Sequence, residues 1–169
     1  MSTDLSQSLN PLRLAKAGER LEGNISLDTM TRIADLLLVK EGQISYCLLF
    51  TINDSGLCII ESEIKGSLSL KCQRCLEPVI INIHKQTQLG VVNNKDEINS
   101  LAKEYEPFLL DDGVFNVKDL VEDELLLAIP LSPLHPVNQC SGTKDLARVN
   151  ADGNIKPFAV LASLKKERK

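Results

Sequence analysis

Between residues 42 and 92, apolar and polar residues alternate in segments separated by short turns, and this pattern constrains the fold more than any other feature. The segment QISYCLLFT has large apolar residues at every second position from Ile44 to Phe50, which is typical of a strand with one buried face. Further strands are predicted over 57–61, 64–72 and 79–92. Because only short turns separate these segments, neighbouring strands should pair antiparallel.

Helices are predicted on both sides of this strand region. Apolar spacing favours a short helix within 12–21, a second over 28–39 and a third over 117–129 that Pro130 ends. A tight hairpin is predicted over 108–117, around Asp-Asp-Gly. The expected fold class is α+β: an antiparallel sheet of about four to six strands flanked by a few helices, with a barrel-like sheet as an open alternative.

The domain organisation follows from length and composition. The chain has 169 residues, 43% hydrophobic and 25% charged, which suits one globular domain with an appendage. We predict a single α+β domain over 1–139, containing the Cys72–Cys75 turn and the acidic helix. Residues 140–169 should form a flexible segment that ends in a short basic helix at 157–164.

The cellular compartment is predicted from the absence of a leader and from cysteine usage. No apolar run approaches the ~20 residues that cross a bilayer, and the first residues have neither a basic nor an apolar signal region. Five cysteines, an odd number without a regular framework, favour a reducing compartment. We therefore expect a cytoplasmic protein without a membrane partner.

Charge is unevenly distributed along the chain. Residues 96–124 contain ten acidic and two basic residues, whereas 140–169 carry a net charge of +4. The acidic residues predict a docking surface for a basic partner, or else a solvated face; the candidates are Asp119, Glu122, Asp123 and Glu124. The candidates for contact with RNA phosphates are Lys71, Arg74, Lys165, Lys166, Arg168 and Lys169. A pI of about 5.2 and the lack of Trp disfavour a protein with a dominant nucleic-acid-binding face, and no DNA partner is expected.

The sharpest local motif is the pair Cys72 and Cys75, which can offer two thiolates to one tetrahedral metal. His135 and Cys140 form the only later pair of soft ligands, so these four residues predict a Cys3His site for Zn, the one cofactor that the sequence indicates. Two alternatives remain open at this point: a redox-active pair, and a β-turn with two free thiols.

The sequence does not support catalysis. Neither His84 nor His135 lies near a nucleophile motif, and no glycine-rich phosphate loop is present. Three consecutive acidic residues on a helix point in different directions, so Glu122 to Glu124 cannot act as one carboxylate dyad. No catalytic residue is assigned.

Four segments resemble the large ribosomal RNA subunit accumulation protein family, YceD. They occur in order over nearly the whole length: CQRCLEPV (72–79), YEP (105–107), DLVEDELLLAIPLSP (119–133) and PFAVLASLKK (157–166). The resemblance implies a bacterial, cytoplasmic, non-enzymatic ribosome biogenesis factor that supports synthesis, processing or stability of large-subunit (23S) ribosomal RNA. The implied partners are the RNA precursor, contacted directly or indirectly, and a basic ribosomal protein or assembly factor. An RNA-processing or RNA-modifying enzyme is the alternative from another class.

Overall fold

One sheet organises the structure, and its strands lie side by side in their order along the chain. In a computed structural model, which describes residues 8–110 and 112–143, the strands pair in the order β1-β2-β3-β4-β5. Their bounds are Arg20–Ser26 (β1), Gln43–Ile52 (β2), Cys58–Lys71 (β3), Pro78–Val92 (β4) and Glu106–Leu109 (β5). The α+β class is confirmed. The described strands form an open sheet, so the barrel-like alternative is wrong for this part of the chain.

The sheet is mixed rather than purely antiparallel. The pairs from β1 to β4 are antiparallel, but β5 runs parallel to β4, from Leu89 opposite Glu106 to Val92 opposite Leu109. The hairpin predicted over 108–117 is wrong: Phe115 instead exchanges two backbone hydrogen bonds of 2.8 Å with Leu9. Positive φ angles at Asp112 and Gly113 redirect the chain towards residue 9 instead of folding it back on β5.

The two strands predicted over 57–61 and 64–72 are one continuous strand. β3 pairs with β4 from Ile59 opposite Gly90 to Lys71 opposite Pro78, which makes a long two-stranded hairpin. Residues 62 and 63 continue the alternation of buried and exposed side chains, so nothing interrupts the strand. The hairpin carries the Cys72–Cys75 turn at its far end, beyond the reach of β2, whose pairing with β3 stops at Lys65.

Of the three helices predicted within the described residues, two are present. α1 spans Pro11–Ala17, a four-residue α2 spans Lys95–Ile98, and α3 spans Val117–Ala128. The Asn116 side chain caps α3 by accepting from the Lys118 and Asp119 amides. The helix predicted over 28–39 is wrong, because only a 3₁₀ turn forms at Leu27–Thr29. The following residues form turns in which Ile33 and Leu37 are buried separately.

The core lies between one face of the sheet and the helices α1 and α3. Each fully buried Leu or Ile contributes about 1.5–3 kcal/mol, so this layer dominates the stability of the fold. The strands supply Ile44, Leu48, Phe50, Ile60, Ile64 and Leu68, and α3 supplies Leu120, Val121 and Leu125. Among the described residues, no helix is long and apolar enough to cross a membrane.

Candidate metal centre

The first half of the site is the turn that joins β3 to β4. The Cys72 amide donates to the Glu77 carbonyl, and the Leu76 amide donates to the Cys72 carbonyl, both at 2.9 Å. Leu76 has a φ of 65°, the left-handed conformation that usually selects glycine. These contacts close a tight loop that holds Cys72 and Cys75 together.

The second half comes from the proline-containing segment after α3. The Gln73 amide donates to the Pro133 carbonyl at 2.9 Å, and the Arg74 guanidinium donates to the Thr143 hydroxyl. Each contact joins residues about sixty or seventy positions apart in the chain. The segment is therefore fastened across the hairpin turn at both of its ends, which places His135 and Cys140 beside the first two cysteines.

The structure brings the four predicted ligand residues into one cluster. The Sγ atoms of Cys72, Cys75 and Cys140 and a ring nitrogen of His135 all lie within 4.8 Å of one another. Tetrahedral zinc with Zn–S distances of ~2.3 Å requires sulfurs about 3.8 Å apart, so only small shifts would be needed to bind the ion. Cys72 and Cys140 are buried, and all five cysteines of the chain are free thiols.

The orientation of His135 is fixed from outside the cluster. Its Nε2 lies 2.9 Å from the Pro78 carbonyl oxygen, which can only accept, so Nε2 is the protonated nitrogen. Nδ1 then faces the Cys75 Sγ at 3.3 Å. Metal-binding histidines usually donate their second nitrogen to a carbonyl or carboxylate in this way, because the bond fixes the tautomer that leaves the other nitrogen free to coordinate.

Hydrogen bonds to the Cys72 sulfur favour its charged form. Burial alone would raise the pKa of this thiol, but the backbone amides of Cys75, His135 and Arg74 point at the sulfur and lower its pKa to about 5. Burial would also lower the pKa of His135, yet hydrogen bonds to Cys72, the Pro78 carbonyl and Cys140 raise it. Since the thiolate is the form that binds metal, the backbone around Cys72 prepares it as a ligand.

Two of the four acidic docking candidates are interior residues, which corrects their assignment to an exposed surface. Glu122 is 1% exposed, and its carboxylate accepts from the backbone amides of Arg32 at 2.6 Å and Ile33 at 3.2 Å. Glu124 is 4% exposed and lies 3.1 Å from the Lys85 ammonium. Both carboxylates fasten α3 to the rest of the fold. No local signal identified these partners, which are distant in sequence.

Asp119 and Asp123 do lie on the exposed side of α3. Asp123 pairs with the Arg32 guanidinium, which also donates to the Asp119 carbonyl oxygen at 2.7 Å. The exposed acidic surface on this helix is thus limited to two carboxylates, one of them already paired.

Two of the six RNA-contact candidates lie within the described residues, both at the turn between β3 and β4. Lys71 is exposed at the end of β3, whereas Arg74 is half-buried against Thr143 in the wall of the Cys/His cluster. Lys165, Lys166, Arg168 and Lys169, together with the predicted C-terminal helix, lie outside the described residues.

Comparison with known proteins places this arrangement in a family. The model of the family described as large ribosomal RNA subunit accumulation protein YceD matches residues 60–165, which include both halves of the cluster and all of α3. The chain belongs to this family. A relative from Haemophilus influenzae (strain ATCC 51907 / DSM 11121 / KW20 / Rd) that bears the same name is 28% identical over 169 aligned residues, covering 96% of this chain and 97% of the relative. No solved structure matches the chain.

Proposed function

We propose that the protein is a non-enzymatic ribosome biogenesis factor that supports accumulation of large-subunit ribosomal RNA. The family match carries this proposal, because its range, residues 60–165, includes nearly all of the long hairpin, the Cys/His cluster and α3. The family name refers to accumulation of the RNA, and since accumulation depends on synthesis, processing and stability, the proposal covers all three. The hydrogen bonds and ion pairs described above show how this fold is held together.

In this proposal, Zn bound by Cys72, Cys75, His135 and Cys140 has a structural role. Four protein ligands complete a tetrahedral shell, and structural zinc sites are closed in this way, whereas catalytic sites keep one position for water or substrate. The ion would supply a cross-link between the hairpin turn and the segment after α3. Binding to a site that exists only in the folded chain stabilises the folded chain.

A protein partner is favoured over extensive direct contact with RNA. Affinity for phosphates comes mainly from Lys and Arg, yet the chain has a net charge of −4 and a pI of about 5.2. A basic ribosomal protein or assembly factor has the complementary charge, which speeds encounter and disfavours wrong partners. The exposed Asp119 and Asp123 belong to the surface that such a partner would meet.

The RNA-processing enzyme is the competing function. The described residues give little support for an enzyme. The Nε2 atom of His84 lies 2.9 Å from a carboxylate oxygen of Glu63 on the open sheet face, and Lys65 and Gln86 contact the same oxygen. Incubation of the pure protein with precursor ribosomal RNA, with and without divalent metal, separates the two functions. Cleaved or modified RNA in amounts exceeding the protein would establish the enzyme.

The biological test is the amount of large-subunit RNA in cells that lack the gene. We expect large-subunit RNA and large-subunit particles to fall relative to the small subunit in sedimentation profiles, and the unaltered gene to restore them. A gene encoding Cys72→Ser with Cys75→Ser should restore less, while Cys47→Ser, which changes a cysteine outside the cluster, should restore fully. Unchanged RNA levels in the deletion strain would contradict the proposal.

A further inference from the structure

An exposed apolar surface surrounds the Cys/His cluster. Its members flank the residues that join the hairpin turn to the segment after α3, so the contacts from Gln73 to Pro133 and from His135 to Pro78 bring them together. They are Leu76, Ile80, Leu131, Leu134 and Val137. Leu131 is fully exposed, and Leu76, Ile80 and Val137 are each more than 60% exposed. In soluble proteins, several exposed apolar side chains around one feature are typical of a docking site, whereas single exposed ones need no explanation.

The exposed face of α3 leads into this apolar surface. Asp119, Asp123 and Leu127 are exposed and recur every four residues, so they form one stripe along the helix. Leu131 follows four residues later, just after the helix ends. The stripe thus changes from acidic to apolar as it approaches the Cys/His cluster.

Residues 157–169 complement the stripe on α3: an apolar block comes first, and a basic block follows it. The segment PFAVLASL at 157–164 is apolar, and KKERK at 165–169 is basic. Residues 144–169 contain seven basic and three acidic residues, whereas the described residues contain twelve basic and eighteen acidic ones. The described residues and residues 144–169 therefore carry opposite net charge, which favours their association. The exposed apolar surface and the apolar block at 157–164 also favour it.

The point where the described chain ends favours an intramolecular contact. Thr143 is held by Arg74 in the wall of the Cys/His cluster, directly beside the apolar surface. The thirteen residues 144–156 can span at most about 45 Å, which exceeds the length of the α3 stripe. A short tether of this kind keeps the segment at an effective concentration of about millimolar, above that of a second copy at ordinary protein concentrations.

We infer that residues 157–169 dock on their own chain, with the apolar block on the surface around the Cys/His cluster and the basic block along Asp119 and Asp123. Docking would withdraw Lys165, Lys166, Arg168 and Lys169 from other anions until a partner displaces the segment. The inference concerns the free protein and is independent of the function proposed above.

The test is photo-cross-linking in the full-length protein. A photoreactive p-benzoylphenylalanine replaces Leu131, whose full exposure allows the change without loss of core packing. Irradiation of the monomer should join position 131 to residues 157–164 of the same chain, as read by mass spectrometry. The same probe in place of Ile52, an exposed apolar residue of β2 beside the end of the hairpin far from the Cys/His cluster, is the matched control and should give no such product.

Variants of the segment decide whether the cross-link reports docking. Phe158→Asp with Leu161→Asp should lower the yield from position 131 at least about tenfold, because both side chains would lose their buried environment. Val149→Asp, which adds a charge in the tether, should leave the yield unchanged. Three results would overturn the inference: products that join two chains, equal yields from positions 131 and 52, or a yield insensitive to the double variant.

Discussion

Gly142 packs directly against the backbone of Arg74. A Cβ atom at position 142 would lie 2.9 Å from the carbonyl oxygen and 3.2 Å from the carbonyl carbon of Arg74, closer than backbone atoms tolerate. Neither group belongs to a flexible side chain, so the segment carrying Cys140 would have to move. We expect Gly142→Ala to cost about 1–3 kcal/mol of metal-binding free energy, which lowers zinc affinity roughly five- to 150-fold.

Competition with a chromophoric chelator measures this affinity. Ser141→Ala is the matched control, because residue 141 is exposed and precedes the close contact. Equal affinities for the two variants would show that the segment after α3 does not need its close approach to the turn in order to bind metal.

The second prediction concerns the metal itself. Protein purified without an affinity tag should contain about one equivalent of zinc, and Cys72→Ser with Cys75→Ser should reduce it below about a tenth. Removal of the ion breaks only the cross-link to the hairpin turn. Hydrogen exchange should therefore accelerate in residues 131–143, while the paired amides of β2 and β3 keep their protection.

Elemental analysis and exchange mass spectrometry provide the two measurements, with Cys47→Ser as the control for loss of a thiol elsewhere. Less than about a tenth of an equivalent in the unaltered protein would leave the cluster as a group of free thiols. Faster exchange throughout the sheet would instead assign the metal to the stability of the whole domain.

How far the sequence predicts the fold depends on whether a segment's structure is set locally. Strands β2 and β4 and helix α3 agree with the sequence prediction, and β3 agrees except that it was predicted as two strands, because period-two and period-3.6 patterns report directly on which side is buried. The segment 28–39 has helical spacing, but its amides bond to distant residues. The Glu122 carboxylate accepts from the Arg32 and Ile33 amides, and the Leu38 amide donates to the Ser69 carbonyl. These distant partners override the local preference. The parallel β5 likewise depends on β4, which no pattern within residues 106–109 reveals.

The candidate site divides in the same way. Cysteine and histidine are rare enough that spacing and elimination selected the four residues that the structure brings together. Carboxylates are common, and although Glu124 shares the helical stripe of Leu120 and Val121, no sequence pattern marks Glu122 as buried. The contacts of Glu122 with Arg32 and of Glu124 with Lys85 assign both carboxylates to the interior rather than to a docking surface.

A third prediction follows from the backbone of the hairpin turn. Leu76 is exposed and has a φ of 65°, a conformation that costs an L-residue about 1–2 kcal/mol. Glycine removes this cost but loses more chain entropy on folding, so Leu76→Gly should stabilise the protein by up to about 1 kcal/mol. Leu76→Val should destabilise it, because β-branched residues tolerate this conformation least. Urea unfolding of both variants gives the comparison, and a less stable glycine variant would show that the Leu76 side chain has a compensating contact.

The last prediction separates structural from partner-binding roles within the acidic helix. Glu122→Ala removes the acceptor of two backbone amides and leaves the Arg32 charge without its buried partner, so we expect a loss of about 2–4 kcal/mol in the free energy of unfolding. Asp119→Ala, an exposed change one turn earlier, should stay within about 0.5 kcal/mol. If a basic ribosomal protein docks on this face, Asp119→Lys should weaken its capture at low salt without changing stability, and the effect should shrink as salt screens the charges. Glu122→Gln keeps an acceptor for the amides and should recover part of the lost stability. Equal losses for Glu122→Ala and Asp119→Ala would contradict the assignment of Glu122 to the interior.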